Sequence, residues 1–278
     1  MSDGKALCLT LDLEDDWNID EPGFDHLTLD RLVDFVALVT DLKLPLSIFV
    51  VGRTLEQHPG AIHRLESALD CEFHLHSYRH DPAGTQDLRT EVREGKRAFR
   101  AHFGTDPAGY RAPLGRISTD GFEILEQEGF TFDSSVFPSY RPGVYNNLDA
   151  PIRPFIPQNV SELIEVPIGA TLYTRIPLGH SYLKLLGEPF LQYLRVCPLP
   201  ETIVYNVHLH DLYRTASHDQ LPAAKRAIYA RNMDRSEELL RDVIEIFRHR
   251  RYSPTTVSRL VEESEVDRAV PRTPQEGS

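Results

Sequence analysis

The sequence predicts an α/β fold, a parallel sheet closed into a barrel with its chemistry at one mouth. Three observations lead there. Short apolar runs alternate along the chain with amphipathic stretches of helical length, which implies βα units. The number of such units within 278 residues favours a barrel over an open sheet. Polar clusters follow directly after the apolar runs, as expected where the chemistry sits at the C-terminal ends of barrel strands.

Taken in order, Ala6–Leu11 reads as a buried strand ending in acidic residues. Thr28–Leu42 reads as a helix with Thr28 as N-cap and Leu32, Phe35, Val36 and Val39 on one face. Leu46–Val51 is a strand closed by Gly52, and Glu72–His74 is a short strand. Thr85–His102 is helical, with Leu88, Val92 and Phe99 in register. Gly109–Arg111 is a short strand, Thr119–Glu128 a helix stopped by Gly129, and Phe130–Phe132 the next strand. Leu163–Ile168 and Thr202–Val207 are later strands, separated by an apolar stretch from Ile176 to Leu194 that reads as a core helix pair. Asp234–Arg250 is a helix with Leu239, Leu240, Val243 and Phe247 inward, and Tyr252–Leu260 is a last strand entering a short helix. Residues 1–262 then make one domain. The remainder, 263–278, is charged, contains proline and lacks large apolar residues, so a disordered tail is expected.

Composition excludes some functions. A net charge of −12 argues against general nucleic-acid binding. No stretch approaches the roughly 20 apolar residues of a spanning helix, so stable membrane insertion is not expected. Cys8, Cys71 and Cys197 are far apart and form no C-x-x-C pair, and the N-terminus has no basic-then-apolar leader. A reducing, cytoplasmic location is the expectation.

Five clusters carry candidate chemistry. Asp12, Glu14, Asp15 and Asp16 crowd the end of the first strand. Such a run is often a solvated loop, but Asp12 directly ends a buried strand, and carboxylates this close repel unless a cation compensates them. His74, His76 and His80 follow the third apolar run, and the spacing of His76 and His80 suits one face of a helical turn and a shared metal. Imidazoles with a carboxylate suit zinc or a similar divalent ion. Arg111 precedes a Pro113–Gly115 turn and could hold a carboxylate ionised. Asp133, Ser134 and Ser135 follow another strand, and His208, His210 and Asp211 follow Thr202–Val207, where a histidine beside an acid is a candidate general acid.

In this order the clusters resemble the polysaccharide deacetylase family, carbohydrate esterase family four with the NodB homology domain, over roughly Leu7 to Leu260. Thr10-Leu11-Asp12 is similar to its first motif, His76-Ser77-Tyr78-Arg79-His80 to its His-Ser/Thr-x-x-His motif, Tyr110-Arg111-Ala112-Pro113 to its arginine–x–proline motif, and Phe132-Asp133-Ser134-Ser135 to its tyrosine–aspartate–serine–serine. The resemblance implies a distorted (β/α)7, TIM-like barrel, and a metal held by two histidines and one aspartate. It makes Asp12 the general base, Arg111 its partner, and His76 and His80 ligands of a divalent ion, zinc in the first place with cobalt or nickel as alternatives.

Two departures matter. Leu13 stands where the family commonly has a metal-binding aspartate, so the third ligand falls to Glu14 or Asp15. Asp15 is preferred, because a one-residue loop insertion would carry it to the usual place. The last motif offers two histidines, of which His208 is preferred to His210 as acid. Asp133 would orient one of these groups, and a backbone N–H near Tyr110 or Arg111 would help the metal bind the oxyanion. The implied function is N-deacylation of an amino sugar, with a sugar nucleotide, a lipid-linked sugar or another intermediate of surface-glycan synthesis as substrate. Two alternatives stand: an allantoinase-like amidohydrolase acting on a non-sugar amide or ureide, and a catalytically silent glycan-binding barrel.

Overall fold

The computed structural model describes residues 4–18, 23–81 and 86–264. Past Ser264, the expected tail lies outside the described residues. Ten strands are described: β1 Lys5–Leu13, β2 Leu46–Val50, β3 Cys71–Leu75, β4 Gly109–Tyr110, β5 Phe132–Asp133, β6 Tyr140–Arg141, β7 Tyr145–Asn146, β8 Ile164–Glu165, β9 Thr202–His208 and β10 Tyr252–Pro254. Eight of them form one curled parallel sheet in the order β10-β1-β2-β3-β4-β5-β8, with β9 also on β1. Helices surround it, so the fold is the expected α/β barrel in distorted form.

β1 is the hub. Along Ala6–Asp12 it pairs with Thr202–His208 of β9. On its other side it pairs with β10 through Lys5–Leu7 and with β2 through Leu9–Leu13. Its alternation sorts the side chains into two faces. Leu7, Leu9, Leu11 and Leu13 pack outward with the helices, among them Phe35 and Val39 of Leu32–Leu42 and Leu240 and Val243 of Ser236–His249. The even residues face inward. Cys8 joins Phe49, Phe132, Val166, Ile168, Val204 and Val257 in the barrel interior, and the register sets Thr10 beside Asn206 and Asp12 beside both Phe49 and His208. Polarity therefore rises from an apolar interior to a charged mouth within five residues of one strand.

The distortion lies between β8 and β9. No strand pairing bridges them among the described residues. An irregular segment does so instead, with Val166 donating to the Asp133 carbonyl (2.8 Å), Ile168 to Val136 (2.9 Å) and Gly169 to Val204 (2.9 Å).

Several elements differ from expectation. Thr28 does not cap the first long helix, which starts at Leu32 after a 3-10 turn at Leu27–Arg31. Its backbone N–H and hydroxyl instead donate to Asp16, whose carboxylate also receives Ser217 at 2.9 Å and so ties two mouth loops together. Gly52 begins a short helix, Gly52–Gln57, where a Cβ would lie 2.7 Å from the Tyr78 ring and 3.1 Å from the backbone of Gly95. The antiparallel hairpin β6–β7 was not anticipated. The apolar stretch before β9 does form a helix pair, His180–Leu186 and Glu188–Val196, broken at Gly187. No helix among the described residues is long and apolar enough to cross a membrane.

On β3, Glu72 receives Ser47 Oγ at 2.7 Å and the Ser258 N–H at 3.0 Å and faces His74 Nε2 at 3.0 Å. Burial alone would raise this carboxyl, but His74 and the two donors hold it down at about 2, against an ordinary 4.5. A depressed acid stabilises the fold above its unfolded pKa and loses that contribution as pH falls toward its folded pKa. Glu72→Gln should therefore flatten the loss of stability between about pH 4.5 and pH 2, by on the order of 2 kcal/mol, in denaturant titrations across that range. An unchanged acid limb would contradict this role for Glu72.

Candidate active site

Asp12 and Arg111 form the centre of the mouth. Arg111 is 1% exposed, and its guanidinium lies 3.8 Å from the centroid of Phe49. Nη1 donates to Asp12 Oδ1 (2.6 Å), Thr10 Oγ1 (3.0 Å) and Asn206 Oδ1 (3.2 Å). Nε donates to the Ser134 carbonyl and Nη2 to Ser134 Oγ, each at 2.9 Å. Asn206 Nδ2 completes the clamp on Asp12 Oδ2 at 3.0 Å. Burial would raise the Asp12 carboxyl, but the guanidinium, with the imidazoles of His76 and His208, holds it well below the usual range. Asp12 is therefore an oriented anion. Asn206 was missed by sequence reasoning and Thr10 was quoted in a motif without a role, yet each lies two residues before a singled-out residue on a strand, and so on the same face.

A second carboxylate, Glu14, meets two imidazoles. Glu14 Oε2 lies 2.6 Å from His80 Nε2 and 3.3 Å from His76 Nε2, and ligand atoms of the three residues lie within 4.8 Å of one another. His76 Nδ1 donates to the Arg111 carbonyl at 2.8 Å. A carbonyl only accepts, so Nδ1 carries a proton and Nε2 is the ring atom turned toward Glu14, the orientation that prepares a histidine for a metal. Burial opposes the charge on Glu14, but His80 and His208 hold the carboxyl well below its ordinary range, and the same pairing raises His80.

The loop from His76 to His80 is not the helical turn expected from its spacing. Ser77 and His80 are left-handed, at φ 63° and 54°. Glu91, from the helix Leu88–Phe103, holds the loop by receiving Ser77 Oγ (2.6 Å) and the N–H groups of Tyr78 (3.1 Å) and Arg79 (2.8 Å) on one oxygen. Nothing near the histidines in sequence pointed to Glu91.

The preference for Asp15 over Glu14 does not match the geometry. Glu14 keeps the inward parity of Asp12 one residue past the end of β1 and so faces the histidines. Asp15 is turned away, with Oδ1 3.1 Å from His26 Nε2.

His208 ends β9 beside Asp12. Its Nε2 lies 3.5 Å from Asp12 Oδ2 and 3.9 Å from Glu14 Oε1, and its Nδ1 lies 3.0 Å from Asp211 Oδ2. Burial disfavours a charged ring, but the Asp12, Asp211 and Glu14 carboxylates outweigh it and raise His208 well above its ordinary value. His210 is stacked on His208 with centroids 4.8 Å apart and lies tilted against Trp17 at 4.1 Å. Burial and the neighbouring His208 lower His210 to about 4, so it is neutral at pH 7. His208, His210 and Asp211 also have metal-ligand composition, but Lys184 Nζ already lies 3.5 Å from Asp211 Oδ1.

Asp133 is one shell removed. It receives Ser135 Oγ at 2.7 Å, and Ser135 Oγ receives the Ala112 N–H at 2.7 Å, so Asp133 braces the backbone after Arg111 without touching Asp12 or a histidine. Beside it, burial and the Asp133 charge raise Glu165 well above the carboxylate range. The Arg111 N–H expected as an oxyanion donor is occupied by the Leu75 carbonyl at 2.9 Å, and the Ala112 N–H by Ser135.

Comparison with known proteins fits this architecture. Residues 23–132 match the family model described as polysaccharide deacetylase. No curated protein sequence matches the chain. Among solved structures, a CE4 family pseudoenzyme from Bacillus anthracis superposes with TM-score 0.56 at 13% identity, covering 96% of this chain and 69% of its own. Puue allantoinase gives TM-score 0.58 at 16% identity over 92% and 89%. A family 4 carbohydrate esterase from Streptomyces lividans, in complex with acetate, gives 0.50 at 11% over 91% and 93%. At these identities the likeness is one of fold. The match over residues 23–132 and the shared barrel make the chain similar to the polysaccharide deacetylase family in that segment and in fold.

Proposed function

We propose that the protein is a divalent-metal-dependent deacetylase that removes the acetyl group from the amide nitrogen of an amino sugar. One observation carries this reading. Three buried or nearly buried carboxylates meet at the mouth, and two have a fixed cation, Arg111 for Asp12 and Lys184 for Asp211. Among the described residues, Glu14 faces the imidazoles of His76, His80 and His208 and no fixed cation. Two imidazole nitrogens and a carboxylate oxygen fit zinc, with cobalt or nickel as substitutes.

Glu14, His76 and His80 would hold the cation, which when bound supplies Lewis acidity to a carbonyl and to a water. The chain's own groups do the rest. Arg111 and Asn206 keep Asp12 anionic and aimed, and Asp12 accepts the proton of the attacking water. His208, charged between Asp12 and Asp211, gives the proton of Nε2 to the departing amine nitrogen. The products are acetate and a free amino sugar. His208 is chosen over His210 because His210 is turned against Trp17 and is neutral at pH 7. The likeness to polysaccharide deacetylases supports an acetylated carbohydrate as the substrate class, and within it a sugar nucleotide or a lipid-linked sugar is the form we propose.

Zinc titration of chelated protein, read by calorimetry and elemental analysis, should give one ion per chain. Glu14→Gln and His80→Ala should weaken binding by roughly 100-fold or more, and Asp15→Asn should leave it unchanged. Weakening by Asp15→Asn instead would return the third ligand to that residue.

Acetate release from acetylated sugar nucleotides and lipid-linked sugars, with allantoin alongside, tests the chemistry. Asp12→Asn should lower kcat by about 10² to 10⁴ with cation binding intact. Normal turnover by this variant would remove Asp12 as base, and turnover of allantoin alone would replace the sugar substrate.

A further inference from the structure

The mechanism leaves a fully buried lysine unexplained. Lys184 is 1% exposed, and its ammonium lies 3.5 Å from Asp211 Oδ1. A buried ammonium is costly unless paired, and Asp211 is the carboxylate that faces it. An apolar side chain would fill the same space between helix and barrel, so packing alone does not call for a charge here.

Asp211 is itself fully buried and stands three residues after His208, in the short helix Leu209–Leu212. Its two oxygens are used differently. Oδ2 receives Ser181 Oγ at 2.6 Å and His208 Nδ1 at 3.0 Å, while Oδ1, among the described residues, faces the ammonium. Ser181 and Lys184 are three apart on the helix His180–Leu186, hence on one face.

That helix is pinned. Ser236 Oγ donates to the Asp211 carbonyl at 2.6 Å, so the hydroxyl oxygen accepts from His180 Nε2 at 2.8 Å. His180 Nδ1 is then the acceptor for Tyr205 OH at 3.2 Å. Asn232 Nδ2 closes the helix end on the Lys184 carbonyl at 2.7 Å. The carboxylate, its two donors and their scaffold form one rigid unit behind His208.

We propose that Lys184 and Ser181 are positioning residues for His208: they fix Asp211 so that its Oδ2 holds the ring with Nε2 toward Asp12 and the departing nitrogen. This rests on His208 as the proton donor of the proposed reaction.

The test compares an N-acetylated sugar, whose amine must be protonated to leave, with 4-nitrophenyl acetate, whose phenolate leaves without a proton. Lys184→Met should lower kcat on the amide by roughly 10- to 100-fold, with KM and cation stoichiometry unchanged and the ester rate within about threefold. Ser181→Ala should show the same pattern more weakly. In an Asp211→Asn background, Lys184→Met should add less than about twofold. Equal losses on both substrates, or none on the amide, would overturn the assignment.

Should the wild-type protein cleave no amide at all, the proposed function fails, and proton NMR decides the positioning role alone. The His208 Nδ1 proton should be downfield and slowly exchanging in the wild type. It should be lost in folded Lys184→Met or Ser181→Ala protein. Its persistence in both would overturn the proposal.

Discussion

The buried pair of Arg111 and Asp12 is the interaction on which the rest of the mouth depends. A guanidinium removed from water is tolerated only when its donors are satisfied and its charge is matched. Here the donors reach Asp12 and Thr10 on β1, Asn206 on β9 and Ser134 after β5, while the cation rests on Phe49 of β2. Four strands are thereby tied at their C-terminal ends by one side chain, including β9, which borders the irregular closure. The Arg111 carbonyl then orients His76 through Nδ1. The same residue thus aims the carboxylate and sets the tautomer of a metal-ligating candidate.

Charge compensation explains how the remaining groups divide the work. Asp12 and Asp211 each lean on a buried cation built into the chain, so both stay anionic and fixed. Among the described residues, Glu14 leans on imidazoles, groups that bind a cation as neutral ligands. Between these carboxylates His208 is favoured in its charged form. The arrangement therefore separates an anion able to accept a proton from a cation able to give one within 3.5 Å, through environment rather than residue type.

Much of this was legible in the sequence because β1 alternates so cleanly. The leucines at 7, 9, 11 and 13 mark the helix-facing side, and Thr10 and Asp12 fall by parity on the inner one. The histidine cluster after β3 and the histidine ending β9 were equally readable, since each follows a buried run. What failed were choices that depend on the chain leaving a strand. Glu14 rather than Asp15 faces the histidines because the alternation persists one residue beyond β1, and Trp17 then turns the chain with a left-handed φ of 60°. The loop at 76–80 is shaped by Glu91, whose helix begins beyond it, so spacing alone suggested a helical turn that does not form. Lys184 and Ser181 sit in an apolar stretch whose pattern announced a helix pair and nothing of the charge it carries.

The central claim is that a cation belongs between Glu14, His76 and His80 while Arg111 keeps Asp12 beside it. A crystal structure of zinc-loaded protein, with anomalous scattering measured at the zinc edge, tests it directly. The account predicts one anomalous peak within ligand distance of the Glu14 carboxylate and the two Nε2 atoms, with Asp12 still on Arg111. A peak at Asp15 and His26, or none at the mouth at all, would contradict it.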